Sequence, residues 1–201
     1  MTDNVSTIRI GTDVRQLKAL AHPLRLKILG VLRMEGPQTA TALAGRFDLN
    51  SGATSYHLRQ LAQHGFIREA EGLGNQRDRW WEAAHQSMRY ESDAPPASEE
   101  GIASDAYMQS VVAAHLGQIQ RAQAARATEP AAWRKASTTS DATLWLTAKQ
   151  ARELTERLVG ILLEMKAETP PLDQPGPEGA RRFTVLIHGF PYVPIGKDPS
   201  E

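Results

Sequence analysis

Hydrogen-bonding side chains crowd the stretch "SGATSYHLRQLAQHGFIRE", residues 51–69. Ser51, Thr54 and Ser55 are short hydroxyls, and Tyr56, His57, Arg59 and Gln60 are longer donors that follow them. Small hydroxylated residues at the start of a helix permit close approach to a polyanion, and the longer donors can reach phosphate oxygens or base edges in a DNA groove. Further along, Arg77 and Arg79 place two guanidinium groups in a polar segment suited to a phosphate or the minor groove.

The same stretch offers little to covalent chemistry. Ser, His and Asp are all present, yet no G-x-S-x-G elbow, H-E-x-x-H pair, Walker loop or G-x-G-x-x-G turn occurs, and "EGLGNQRD" is too short and polar to read as a phosphate cradle. No catalytic residue is expected. The chain has no cysteine, which excludes disulfides, thiolate metal sites and cysteine nucleophiles. No metal site and no cofactor are expected either.

These residues need elements to hold them. Leu17, Leu20, Leu24, Ile28, Leu29 and Leu32 recur at helical spacing between Val14 and Met34, and Pro23 divides them into two helices, standing in the opening turn of the second. Thr39 or Thr41 can cap a short helix carrying Leu43, Ala44 and Phe47, after which Asp48-Leu49-Asn50 reads as a turn. Ser51 is the expected N-cap of the next helix. Its inward side falls on Ala53 or Thr54, Leu58, Leu61 and Ala62, and it ends at Gly65. Residues 66–70 and 79–83 then read as two strands of a hairpin. The order is helix, helix, helix, turn, helix, hairpin, and a tri-helical unit with a turn into its third helix and a hairpin after it is the winged form of the helix-turn-helix. On this phase Thr54, Ser55, His57 and Arg59 are expected to read bases, and Ser51, Gln60, Arg77 and Arg79 to position phosphates. Tyr56 is open between phosphate contact and a buried ring, and His57 between base contact and packing at the core's margin.

"ESDAPPASEEG", residues 91–101, is rich in proline, serine and acid and reads as a linker. A long helix follows between Ala103 and Arg126, with Met108, Val111, Val112, His115, Leu116 and Ile119 as its apolar stripe. A second helix runs from near Thr147 to about Lys166 on Leu154, Leu158, Ile161, Leu162 and Met165, and a late strand is expected around Phe183, Val185 and Ile187. Such stripes must pack on each other, on the first domain or on a second copy.

The overall charge is zero, with 23 Lys/Arg against 23 Asp/Glu, but the halves differ: residues 1–90 carry 12 basic and 8 acidic residues, and the remainder 11 and 15. A basic first half and an acidic second half suit one polyanion-facing end. No leader is read at the N-terminus, and no apolar run nears the roughly 18 residues of a membrane span, so a soluble, cytoplasmic protein without a membrane partner is expected.

The strings "LKALAHPLRLKILGVLRMEGP", "TATALAGRFDLNSGATSYHLRQLAQHGFI" and "GNQRDRWWEAAH" resemble the ArsR-type winged-helix regulators, in particular a branch with long C-terminal extensions. The resemblance spans Leu17 to His85. It implies a homodimer, a two-fold symmetric operator and repression relieved by an inducer. Metal sensing is not carried over, because "TALAGRFDL" has no thiol and His115 lacks a spaced partner set.

The expected fold is therefore mainly α with a small β-hairpin wing. Residues 1–90 form a winged helix-turn-helix DNA-binding domain, 91–101 a linker, and 102–201 a helical dimerisation or effector region with a late strand. The expected function is a sequence-specific transcription regulator, a dimeric repressor, whose partners are double-stranded DNA, a second copy and, as a class left open, a small-molecule effector. The other function class that fits the order of elements is a protein-interaction module, against which the polar face of residues 51–60 argues.

Overall fold

Pro23 does what its backbone requires. In the computed structural model, which describes residues 7–10, 13–73, 78–90, 93–172 and 174–194, a short strand β1 (Thr7–Ile10) is followed by helix α1 (Val14–Leu20) and then α2 (Pro23–Glu35), with the proline at the first helical position. Asp13 Oδ1 accepts from the Arg15 N–H at 2.8 Å and starts α1. His22 starts α2 in the same way, its Nδ1 accepting from the Leu24 N–H at 3.2 Å. Gly36, with φ of 81°, stops α2 in a conformation that side chains with a Cβ resist.

A two-residue strand β2 (Gln38–Thr39) leads into α3 (Ala40–Phe47), and α4 (Ser51–Gln63) follows after a turn. Thr39, one of the two candidate caps, accepts from the Ala42 N–H at 3.1 Å. The turn between the helices rests on Asp48, whose φ of 54° lies in the left-handed region that Asp tolerates better than most residues. One expectation is corrected here: Asn50, not Ser51, is the N-cap of α4, its Oδ1 accepting from the Ala53 N–H at 2.7 Å. Asn and Ser cap equally well, and the chain uses the one that still belongs to the turn, leaving Ser51 inside the first turn of the helix.

Gly65, at φ 76°, turns the chain out into β3 (Ile67–Glu69), and β4 (Trp80–Ala83) returns antiparallel to it with Ile67 opposite Ala83 and Glu69 opposite Trp81. β2 joins the far side of β4, so the wing is a three-stranded sheet in the order β2-β4-β3. β5 (Ser87–Tyr90) lies apart from it and pairs parallel with β1, Thr7 opposite Ser87 and Ile10 opposite Tyr90. A four-residue strand whose partner is some eighty residues away leaves no local trace, and neither β1 nor β5 follows from the sequence pattern.

Leu17 and Leu20 of α1, Ile28 and Leu32 of α2, Leu58 and Leu61 of α4 and Phe66 after it are all 2% exposed or less and form one cluster. Helix α5 (Glu99–Ala125) adds Ala103 and Tyr107 to that cluster. The compact unit accordingly comprises residues 1–121 with 171–176. The segment read as a linker, 91–101, gives way to helix at Glu99: Ser98 Oγ accepts from the Gly101 N–H at 3.0 Å and donates to the Pro95 carbonyl at 2.7 Å. Proline and serine here build a helix start. Gly101 is needed at it, since a Cβ there would stand 2.2 Å from the Pro95 oxygen.

The face of α5 that is buried differs from the apolar stripe in all but Val111, which packs against the core. Ala103, Ser104, Tyr107 and Ser110 point inward, while Met108, Val112, Leu116 and Ile119 are exposed. Small residues let the helix axis approach closely, and Ser110 Oγ uses that proximity to donate to the Ala21 carbonyl at 2.9 Å.

The second compact unit comprises residues 122–170 and 177–201. It holds a short helix α6 (Ala131–Ala136) and the long α7 (Ala148–Ala167). α7 begins with a capping box in which Thr147 and Gln150 satisfy each other's backbone N–H groups. Arg181 lies 5.4 Å over the ring of Trp133 and forms a two-pronged ion pair with Glu129. The expected late strand is corrected: residues 181–194 are irregular, because alternation alone makes no strand without a partner to take its hydrogen bonds. Among the described residues no helix is long and apolar enough to cross a membrane.

Candidate nucleic-acid interface

Helix phase sorts the side chains of α4. Thr54, Leu58 and Leu61 are buried, which turns Ser51, Tyr56 and Arg59 outward and leaves Ser55 and Gln60 half-buried on the flanks. Tyr56 is 54% exposed, so its ring as well as its hydroxyl faces outward. The guanidinium of Arg59 is steadied by its Nε donating to the Ser55 carbonyl at 3.2 Å.

Thr54 leaves the expected base-reading set. It has no solvent exposure, and its hydroxyl donates to the Asn50 carbonyl at 3.1 Å. Of the two residues open for the inward position, Ala53 and Thr54, the threonine took it, since its hydroxyl finds a backbone acceptor one turn back while its methyl packs.

Ser51, Ser55 and Arg59 open onto a cleft of about 370 Å³ whose other walls are Thr39, Ala40 and Thr41, and Asp78, Arg79 and Trp81. The first turns of α3 and α4 and two guanidinium groups therefore border one space. Free N–H groups and the positive ends of the helix dipoles favour an anion there, and the cleft is open, with hydroxyls beside the apolar Ala40 and Trp81. Asp78 supplies the negative charge among the lining residues, which disfavours indiscriminate phosphate binding close to it. Arg79 is exposed at the foot of the wing, and Arg77 lies outside the described residues.

The first turn of α3, Thr39 to Thr41, and Asp78 were missed as members of this surface. Thr39 and Thr41 were visible only as caps. Capping residues border a helix N-terminus by definition, and that was the available signal.

His57 faces away from the cleft. Its ring lies 4.6 Å from that of His22 at 50°, and Tyr56 meets it edge-on at 5.5 Å. Burial, then the neighbouring His22 and Arg25, hold the His57 imidazole below the ordinary histidine pKa; burial and Arg25 do the same to His22. His57 thus belongs to the seam between α4 and the start of α2, half-buried there, which favours the packing side of the two roles open to it.

Among the described residues no group of three or more His, Asp or Glu side chains is arranged to hold a metal. No curated protein matches the chain. Residues 20–70, from the last residue of α1 to the residue after β3, match the family model of a helix-turn-helix domain. The chain thus carries a helix-turn-helix domain of the kind found in DNA-binding regulators, here in winged form and continued by C-terminal helices.

Proposed function

We propose that the protein is a sequence-specific regulator of transcription, an ArsR-type repressor that binds double-stranded DNA as a homodimer. The observation that carries the reading is the cleft in which Ser51, Ser55 and Arg59 of α4 meet Arg79 of the wing and the first turn of α3. α4 enters the major groove by its N-terminal half, Tyr56 and Arg59 reach base edges or phosphates, and Arg77 and Arg79 follow the backbone alongside. Residues 1–90 supply the DNA contacts, and residues 102–201 supply the dimer contact and any effector site. Support for the dimer comes from Met108, Val112, Leu116 and Ile119, which α5 leaves exposed on one side, more apolar surface than a solitary helix leaves bare without a partner.

The test is selection of binding sites from a random duplex library with the full-length protein. A two-fold symmetric sequence is expected to be enriched, and Arg59→Ala to lower affinity for it by roughly ten- to a hundredfold, the worth of a good base contact. A library that emerges without an enriched sequence sinks the reading.

A further inference from the structure

We propose that His22 and His57 form a proton-operated clasp that seats the DNA-facing helix α4 on the N-terminus of α2 when both are neutral and releases it when either is charged. The functional part of this proposal rests on the DNA-binding reading; the clasp itself does not.

Two imidazoles from separate elements meet here, with ring centroids 4.6 Å apart. One of them is structural in a way that depends on protonation. His22 Nδ1 accepts the Leu24 N–H at 3.2 Å and so caps α2. In the neutral ring this nitrogen must be the unprotonated one, and the proton gained on charging lands on the acceptor itself, abolishing the cap.

The other imidazole turns one nitrogen into the protein. His57 Nδ1 is buried without a hydrogen-bond partner among the described residues, and so is the Nε of Arg25 beside it. The ionisable groups acting on His57 are His22 and Arg25 from the α2 side, and Tyr56 on its own helix covers the ring edge. None of these is a carboxylate. The N-terminus of α2 adds the positive end of its dipole. A proton on either ring therefore meets Arg25, the other ring and the dipole together, and all three disfavour it. Desolvation works in the same direction, and both histidines are held below their ordinary pKa.

The direction of the consequence separates this clasp from simple phosphate attraction. Added positive charge near DNA strengthens binding. A clasp that opens in acid weakens it, because α4 loses its seat on α2.

The experiment compares full-length wild type, His22→Asn, which keeps a capping side chain, and His57→Phe, which keeps a ring against His22. Hydrogen exchange of the α4 amides is followed without DNA at pH 7.5 and 5.5, corrected for intrinsic exchange. Wild type is expected to lose about tenfold in protection at the lower pH, and each variant to lose less than half as much on a logarithmic scale. Equal loss in all three proteins, or none in wild type, overturns the clasp. Should His57→Phe not fold, His22→Asn and an NMR titration of the wild-type rings decide: two imidazoles that titrate independently at the ordinary histidine value also overturn it. With the duplex selected at pH 7.5, wild-type affinity at fixed ionic strength is expected to fall about tenfold at pH 5.5; a rise makes the histidines phosphate contacts and overturns the proposal. If no duplex is selected at all, the DNA-binding reading fails while hydrogen exchange still judges the clasp.

Discussion

The hydroxyl of Thr54 donates to the carbonyl of Asn50 at 3.1 Å, and the Asn50 side chain in turn accepts from the Ala53 N–H at 2.7 Å. Together they fix the start of α4, Asn50 from the exposed turn and Thr54 from inside the protein, where it cannot itself touch DNA. Asn50→Ala removes a cap and is expected to cost about 1 kcal/mol in urea unfolding. Thr54→Val keeps the shape and is expected to change DNA affinity by less than about twofold, since no base contact is lost. A tenfold loss of affinity for Thr54→Val, with stability intact, would restore Thr54 to the reading set.

Arg79 borders the cleft from the wing and Arg59 from α4, and the two guanidinium groups are expected to give different signatures. Arg79→Ala should weaken specific and non-specific duplexes alike and flatten the dependence of log affinity on log salt by about one unit. Arg59→Ala should alter which sequence is preferred. Salt titrations of both variants on a selected and a scrambled duplex separate the roles, and an unchanged slope removes Arg79 from the phosphate contacts.

Tyr107 is 4% exposed, and its ring lies 5.3 Å from that of Tyr90. Burial drives its phenol up to about 12, although the nearby Arg33 guanidinium pulls the other way. The start of α5 is therefore core of the winged helix, placed beyond the segment that reads as a linker. Tyr107→Ala is expected to destabilise the fold by about 3–5 kcal/mol, as for other large aromatic truncations. A chain cut at residue 90 should lose its cooperative melt, and one cut after Arg121 should keep it. A cooperative melt from residues 1–90 alone would show that α5 is dispensable.

The helices of the DNA-facing half were legible because each carries its own signals. Pro23 marks the start of α2, and Gly65 the exit from α4, while Leu58 and Leu61 fix the phase of α4 and with it the outward side of Arg59. Thr54 was misplaced because a β-branched hydroxyl residue suits a surface and a buried, back-bonded position equally well. His57 is ambiguous in the sequence for a similar reason: its neighbour His22 is thirty-five positions away in the chain, and periodicity says nothing about such a meeting. The burial of α5 on Ala103, Ser104 and Ser110 around Tyr107 defies its apolar stripe because close approach selects small residues, which hydrophobic counting ranks low. Pairing of β1 with β5 is a long-range event with no local signature.

Stability should depend on pH with a definite sign. His22, His57 and His85 are all held below the model-peptide value of 6.5, each by burial first and then by neighbouring cationic groups, Arg33 and Arg68 in the case of His85. The folded chain thus prefers neutral imidazoles. Above pH 6.5 both folded and unfolded chains hold them neutral and stability is at its full value; as the pH falls, the unfolded chain takes protons first, and stability is lost down to the folded-state values. The Glu99 carboxyl, kept below its ordinary 4.5 by its hydrogen bond and ion pair with Lys18, acts only at lower pH and is too exposed to matter much. Thermal melts at fixed ionic strength are therefore expected to be level from about pH 8 to 7 and to fall steadily below 6.5. His85→Gln should reduce the fall, because Arg33 donates from Nε to the backbone carbonyl of residue 85 at 2.9 Å and keeps that contact when the imidazole is gone. A melting temperature that rises between pH 7 and 5.5 would mean that the three histidines gain partners on charging, the opposite of what their cationic surroundings require.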